Sequence, residues 1–332
     1  MKIAVAILNY NGASLLETFL PSVIKYSIGA EIIVIDNAST DESIEVLEKK
    51  FPEVKTILLK ENLGYAGGYN EGLKSIKSDI LALVNSDIEV TENWLLPIEK
   101  AFREDQRLGL SQPKIKDYKN KIYFEYAGAS GGFLDKYGFA YCRGRIFDEL
   151  EVDRGQYDTV MEIDWASGAC LFIRTPLFWE LGGFDSAYFA HFEEIDLGWR
   201  ARNANRIIKV IPQSLVYHVG GATLEASSPF KTYLNFRNSL YTLMKNLPSR
   251  VLFSRLFIRM IFDGVAGIQF LIQGKTSHFN AVIKAHFSFY KQSASMYKKR
   301  KDQVIKKDDY YQRDSIVKNY FVDGKKNFSD LP

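Results

Sequence analysis

Asn85-Ser86-Asp87 closes a run of five apolar residues, Ile80-Leu81-Ala82-Leu83-Val84. A carboxylate just past a buried strand is a hard oxygen ligand. It stands where open α/β sheets bind their ligands, and it suits Mg²⁺ or Mn²⁺ with positions left open for substrate phosphates. The plain alternative is a turn, because Asn, Ser and Asp are turn residues. A second set is Glu193-Glu194-Ile195-Asp196, flanked by Phe189, Phe192 and Leu197. Apolar surroundings raise a carboxylate pKa toward the working range of a general base. The bland reading is acids complementing a helix N-terminus. His218 is by type a metal ligand, or a satisfied core histidine.

These groups need elements to hold them. Residues 3–8, Ile32-Ile33-Val34-Ile35, Val54-Lys55-Thr56-Ile57-Leu58 and the run before Asn85 read as four strands. Helical spacing lies between them, in Leu15 to Ile24, Ile44 to Leu47, and Leu73 to Ile76. Ser14 is a candidate cap for the first helix, and Ser39 or Thr40 for the second. The β-α-β-α-β-α-β order predicts an α/β fold, a mostly parallel sheet with helices on both faces. Three strand ends then offer acids or amides on one edge: Asn9 and Asn11, Asp36 and Asn37, Asn85 and Asp87. Gly64, Gly67 and Gly68 allow close backbone approach to a ligand, before a helix N-terminus that favours anions. The glycine pattern is neither G-x-G-x-x-G nor a Walker loop. Residues 105–164 are less regular, and Gly128 to Gly138 reads as a strand-and-loop excursion or a flap. Trp165 to Arg174 enters a strand from a tight small-residue loop, and Ile207 to Pro212 is another strand.

At 332 residues the chain has room for two domains, or one with an appendage. Cys142 and Cys170 fit no metal or disulfide pattern and read as reduced thiols of a cytosolic protein. The N-terminus reads as a first strand, not a signal peptide. A net charge of +3 hides an asymmetry. Residues 226–332 hold 19 Lys and Arg against 7 Asp and no Glu, while residues 1–225 carry −9. That basic region implies an anionic partner. Ser249 to Gln273 is apolar except for Arg255, Arg259 and Asp263, which form one polar stripe. This is an interfacial or docked helix, since its apolar runs fall short of a membrane span of about 20 residues. Phe279 to Tyr297 is apolar and aromatic, followed by Lys298-Lys299-Arg300-Lys301 and Lys306-Lys307, which favour anionic lipid headgroups. The alternative use of these helices is a homodimer interface. No nucleic-acid-binding module accompanies the charge, so nucleic acid is not expected as a partner.

Taken in order, the motifs resemble those of a family 2 glycosyltransferase with the GT-A fold, in the bacterial rhamnosyltransferase-like subset. They are Leu8-Asn9-Tyr10-Asn11, Val34 to Asp41, Asn62-x-Gly64-Tyr65-Ala66-x-Gly68-x-Asn70, Asn85-Ser86-Asp87 in place of D-x-D, Trp165-x-Ser167-Gly168-Ala169, Phe192 to Asp196, and His218. The likeness covers roughly residues 1–245. It implies a GT-A domain over 1–225, with a nucleotide half (1–104) and an acceptor half (105–225), then a helical region over 226–332. It also implies an inverting, metal-dependent transfer from a dTDP- or UDP-sugar, rhamnose among them, to a glycan or lipid-linked acceptor in cell-surface polysaccharide synthesis. The enzyme would work in the cytoplasm, peripherally on the inner face of the membrane. On this reading Leu8, Asn9, Tyr10, Asn11, Asp36, Asn37, Asn62, Gly64, Ala66, Gly68, Asn70, Asn85 and Ser86 line the nucleotide site. Asp87 and His218 bind Mg²⁺ or Mn²⁺. Trp165, Ser167, Gly168 and Ala169 shape the sugar and acceptor pocket. Glu194 is the base, with Asp196 and Glu193 as competitors, because the family's usual Glu-Asp pair is Glu193-Glu194 here. A catalytically silent nucleotide-sugar-binding or assembly subunit is the alternative.

Overall fold

The computed structural model describes residues 1–220, 228–301 and 307–331. The expected boundary between residues 225 and 226 falls outside the described residues, as does Lys306.

The apolar runs become strands β1 (Ile3–Asn9), β2 (Glu31–Asp36), β3 (Lys55–Leu58) and β4 (Ile80–Asn85). Between them lie α1 (Ala13–Tyr26), α2 (Ser43–Lys50) and α3 (Gly64–Gly72). These strands run parallel in the order β4-β1-β2-β3. Alternation divides β4 between two cores. Leu81 and Leu83 pack on one face, and Ile80, Ala82 and Val84 on the other. Both faces are covered, which is why the run reads as continuously apolar. Cutting a fully buried Leu83 to Ala would cost about 2–5 kcal/mol.

Beyond β4 the sheet is mixed. Next come β5 (Ile88–Val90), α4 (Leu95–Glu104) and β6 (Leu108–Asp117). The irregular stretch holds β7 (Gly132–Leu134), β8 (Ala140–Cys142), β9 (Arg145–Ile146) and β10 (Glu149–Leu150), which form a separate four-stranded antiparallel sheet. Then follow β11 (Met161–Glu162), β12 (Cys170–Arg174), α5 (Thr175–Glu180), α6 (Glu193–Asn203) and β13 (Ile207–His218). The large sheet runs β11-β13-β6-β12-β4-β1-β2-β3, with β5 also paired to β13. β12 lies antiparallel between β4 and β6, so the loop before it arrives at the C-terminal end of β4. The fold is the expected α/β architecture, with antiparallel pairs in the second half that the strand–helix alternation could not announce.

The expected caps are not used. Gly12 precedes α1, and Ser14 lies inside that helix. The amide of Ala13 donates instead to Asp41, from the loop before α2. Ser39 serves Asp36 and Asn11, and Glu42 precedes α2.

The C-terminal helices are α7 (Pro229–Asn246), α8 (Leu252–Ile272), α9 (Thr276–Lys301) and α10 (Ile316–Phe321). The segment beyond α9 returns to the small antiparallel sheet. Ile316 donates its amide to Asp135, and Phe328 packs on Phe133 and Tyr141. The polar stripe of α8 faces inward, where Arg259 and Asp263 are buried and paired at 2.9 Å. No helix among the described residues is long and apolar enough to cross a membrane.

Candidate functional site

The amides and acids at the ends of β1 and β2 form one network. Asn9 sits opposite Asp36 in register and donates to its carboxylate at 3.0 Å. Ser39 donates to the same carboxylate through its hydroxyl (2.6 Å) and its amide (2.8 Å). Asp36 therefore accepts three bonds, one short of the roughly four a carboxylate can take. Asn11, at φ 50°, accepts from the Thr40 amide. Asn37 bonds Asn62, the Gly64 carbonyl and the Leu63 amide. Leu8 packs against Gly68, where a Cβ would meet it at 2.8 Å. Tyr10 is exposed and Ala66 buried. Asn70 is elsewhere occupied: its amide staples the main chain of Phe184 in both directions, at 2.7 and 2.9 Å.

Gly64 opens α3 at φ 69°, and a Cβ there would meet the Phe189 carbonyl at 2.6 Å. The amides of Tyr65 and Ala66 both point to that carbonyl, at 2.8 and 3.3 Å. The first turn of α3 thus grips another part of the protein, not an anion as the sequence pattern suggested. The sequence could not show this, because the partner is more than 120 residues away.

At the end of β4, Asn85, Asp87 and His218 come together because β5 pairs Ile88 with His218. His218 Nε2 lies 3.1 Å from Asp87 Oδ1 and 3.5 Å from Asn85 Nδ2. On the other side of the ring, Nδ1 is 3.1 Å from Glu125 Oε1. All three of Asp87, Glu125 and His218 are buried. Burial alone would lower the His218 pKa, but the Glu125 and Asp87 carboxylates outweigh it and raise it to about 10. Asp87 is held low, since the His218 charge and hydrogen bond outweigh its own burial. Glu125 is the site residue that sequence reasoning missed; it lies in the irregular stretch and belongs to no motif. Ser86 stands in the turn between Asn85 and Asp87, and the Asn85 amide donates to the Ala169 carbonyl.

Among the described residues, no three His, Cys, Asp or Glu side chains converge on one point. The reason is geometric: Glu125 and Asp87 lie on opposite sides of the imidazole. Asp87 and His218 Nε2 nevertheless make a fitting pair for a divalent ion that takes its other ligands from phosphates and water. Glu125, 3.1 Å from Nδ1, stands where an outer carboxylate would orient a histidine that held a metal.

The acid cluster stands on an unusual turn. Phe189, His191 and Phe192 all have positive φ, at 66°, 68° and 72°. Such backbone costs about 1–3 kcal/mol per residue and persists only where its surroundings enforce it. Here Asn238 of α7 donates its side-chain amide to the carbonyls of Tyr188 (3.0 Å), Ala190 (2.8 Å) and His191 (2.7 Å). Arg237 adds bonds to the carbonyls of Ala187 and Tyr188. From the other side α3 holds Phe189. The turn delivers Glu193 and Glu194 into α6 with one carboxylate oxygen each (Oε2) buried and without a hydrogen-bond partner. Burial raises the Glu194 pKa to about 7. Glu193 is pushed well above its ordinary value by burial and by Glu194. Asp196 is different: it is fully buried but bonded to Arg200, Lys245 and Asn246 at 2.8 Å each. Burial would raise its pKa, yet Lys245 and Arg200 outweigh that and hold it well below the usual carboxylate range. An acid so paired is a structural anchor and a poor base, which removes it as a competitor.

In the 165–169 loop, Trp165 is core. It is 2% exposed, its indole N–H donates to the Phe133 carbonyl, and its ring fills the space over Gly132. The ring cannot stack on a sugar from there. Ser167 is also buried, accepting from the Ala169 amide. Gly168 faces the site: Tyr65 donates to its carbonyl at 2.7 Å, and a Cβ there would lie 3.8 Å from that of Glu194. The loop, α3 and the acid turn are thereby brought together.

Residues 4–155 match the family described as Glycosyl transferase family 2. The chain is 25% identical over 233 residues to the N-acetylglucosaminyl-diphospho-decaprenol L-rhamnosyltransferase of Mycobacterium tuberculosis, covering 64% of this chain and 75% of that one. Among solved structures, Staphylococcus aureus TarS 1–349 in complex with UDP-GlcNAc superposes with a TM-score of 0.55 at 16% identity, over 91% of this chain and 92% of that one. GalNAc-T7 with UDP, GalNAc and Mn²⁺ gives 0.57 at 18% identity, over 75% of this chain and 48% of that one. The structural likenesses establish the GT-A-like fold, and residues 4–155, somewhat under half of the chain, carry a match to Glycosyl transferase family 2.

Proposed function

We propose that the protein moves a sugar, with inversion, from a dTDP- or UDP-linked donor to a hydroxyl of a glycan or lipid-linked acceptor in cell-surface polysaccharide synthesis. Rhamnose is the sugar favoured, because the mycobacterial relative is named as a rhamnosyltransferase acting on a diphospho-decaprenol acceptor. The carrying observation is the Glu194 carboxylate: pKa about 7, one oxygen unpartnered, on a strained turn gripped by the donor-side helix. A catalytically silent subunit has no use for such an arrangement.

In this reading the ends of β1 and β2 hold the nucleotide, and the free acceptor position on Asp36 takes the ring N–H of uracil or thymine. Asp87 and His218 would hold Mg²⁺ or Mn²⁺, with Glu125 orienting the histidine. A divalent ion held by these two residues would supply positive charge to offset that of the leaving diphosphate. Glu194 takes the acceptor hydroxyl proton. The oxygen bonds to the anomeric carbon as the bond to the nucleoside diphosphate breaks. Gly168 leaves room for the sugar beside Glu194. The expected divisions, a nucleotide half to residue 104 and an acceptor half to residue 225, supply donor and base respectively, and the region from 226 supplies the Arg237-Asn238 clamp. The enzyme acts at the cytoplasmic face of a membrane, where a lipid-linked acceptor would present its hydroxyl.

The test is thermal stabilisation by UDP, dTDP, GDP and CDP, each with and without Mn²⁺, since a ligand of the native state raises apparent stability by mass action. Stabilisation by UDP or dTDP that requires Mn²⁺ and disappears in Asp87→Ala is expected. A metal-independent response, or one kept in Asp87→Ala, would remove the metal assignment.

A further inference from the structure

We propose that the outer face of α8, with the aromatic edge of α9, is the surface on which the enzyme docks to an anionic bilayer. The proposal deepens the membrane-side reading above by naming the surface. Phe253, Phe257, Ile261, Val265, Ile268 and Ile272 recur every three or four residues on α8, and all are exposed, Phe253 at 74% and Ile272 at 82%. The helix is inside-out for a soluble protein. Its ionic groups are turned inward, where Arg259 pairs with Asp263, Asp263 meets His286 at 3.2 Å, and Arg259 reaches the Gly138 carbonyl. Among the described residues the apolar stripe has no counterpart, and an exposed apolar patch of that length marks an interaction surface. Beside it, α9 exposes Ile283, Phe287, Tyr290 and Tyr297.

Charge decides the occupant. Lys284, Lys291 and Lys298 follow at seven-residue intervals along exposed positions of α9, on the flank of its aromatic edge. Residues 226–301 hold 13 Lys and Arg and a single acid, Asp263, which is buried. A symmetric contact with a second copy would set lysines near lysines with no carboxylate from these helices between them. A bilayer with anionic phospholipid supplies both halves of the match, hydrocarbon for the stripe and phosphate for the lysines. The helix lies on such a surface; it does not span it.

The experiment is co-sedimentation of the full chain with vesicles of phosphatidylcholine alone and of phosphatidylcholine with phosphatidylglycerol. Nucleotide-induced thermal stabilisation is read on the same samples. Wild type is expected to partition onto the anionic vesicles, and less so at high salt. Phe257→Asp/Ile261→Asp should weaken partitioning at least about tenfold, and Lys284→Glu/Lys291→Glu by about thirtyfold. Both variants should keep the nucleotide response, since neither site touches the donor region. Wild type left in the supernatant with both vesicle types overturns the proposal. So does a wild-type dimer that Phe257→Asp/Ile261→Asp splits, because a second copy then covers the face. Wild type that fails to sediment with anionic vesicles yet keeps its nucleotide response refutes the surface alone, whereas a missing nucleotide response in wild type refutes the glycosyltransferase site.

Discussion

Asn238→Leu removes the clamp on the acid turn while keeping the side chain's size. In the native fold one amide group serves three carbonyls at 2.7–3.0 Å. Arg237 still reaches the Tyr188 carbonyl in the variant, so the carbonyls of Ala190 and His191 are the two left without a donor. Each partly buried carbonyl so orphaned costs about 1–2 kcal/mol, the lower part of the range for a buried group. The stored backbone strain at Phe189, His191 and Phe192 favours relaxation, so the strained turn should lose about 2–4 kcal/mol relative to a relaxed one. That is a shift of roughly 30- to 1,000-fold in population. The measurement is steady-state transfer with pH varied. kcat should fall by one to three orders of magnitude, with a smaller change in donor KM. The apparent pKa on kcat should drop from about 7 toward an ordinary carboxylate, because an opened turn lets water reach Glu194. A variant with a lower Tm but unchanged kcat and pH profile would refute the reasoning and leave Asn238 as simple packing.

Glu194→Gln should abolish transfer yet raise Tm at pH 8. The folded pKa, about 7, lies above the ordinary carboxylate value, so this group's contribution to stability is full below about 4.5 and lost as pH rises through about 7. In wild type, kcat should climb with pH through that same value as the base deprotonates. Glu125→Gln should weaken Mn²⁺ binding by about 10- to 100-fold, read by electron paramagnetic resonance of the free ion with UDP present. Lys245→Met removes a cation from between Asp185 and Asp196, and urea unfolding should show a loss of about 3 kcal/mol, because Arg200 remains to hold Asp196.

The strands were legible because β1, β2 and β4 are covered on both faces and therefore written as unbroken apolar runs. Their polar ends followed at once, and so did the meeting of Asp87 with His218 through the order of the motifs. Telling Glu194 from Asp196 needed Lys245 and Asn246, about fifty residues onward, whose contact no local pattern encodes. Trp165 offered an aromatic face by type, but only its neighbours Gly132 and Phe133 show that the face is filled. The stripe of Arg259 and Asp263 was visible as periodicity. Periodicity fixes which residues share a side of a helix, not which side meets the protein.

The position of β12 governs the order in which this molecule can be made. β4 has β1 on one edge and waits for β12 on the other. During synthesis the whole parallel sheet can assemble as soon as Asn85 emerges, yet the outer edge of its most apolar strand stays unpaired until Arg174 has been made. An open, apolar strand edge is a template for pairing with other chains. A fragment that stops at residue 104 would keep that edge permanently bare. It would be prone to aggregate rather than behave as a separable nucleotide-binding module, so the two halves of the sheet are one folding unit whose joining strand arrives late.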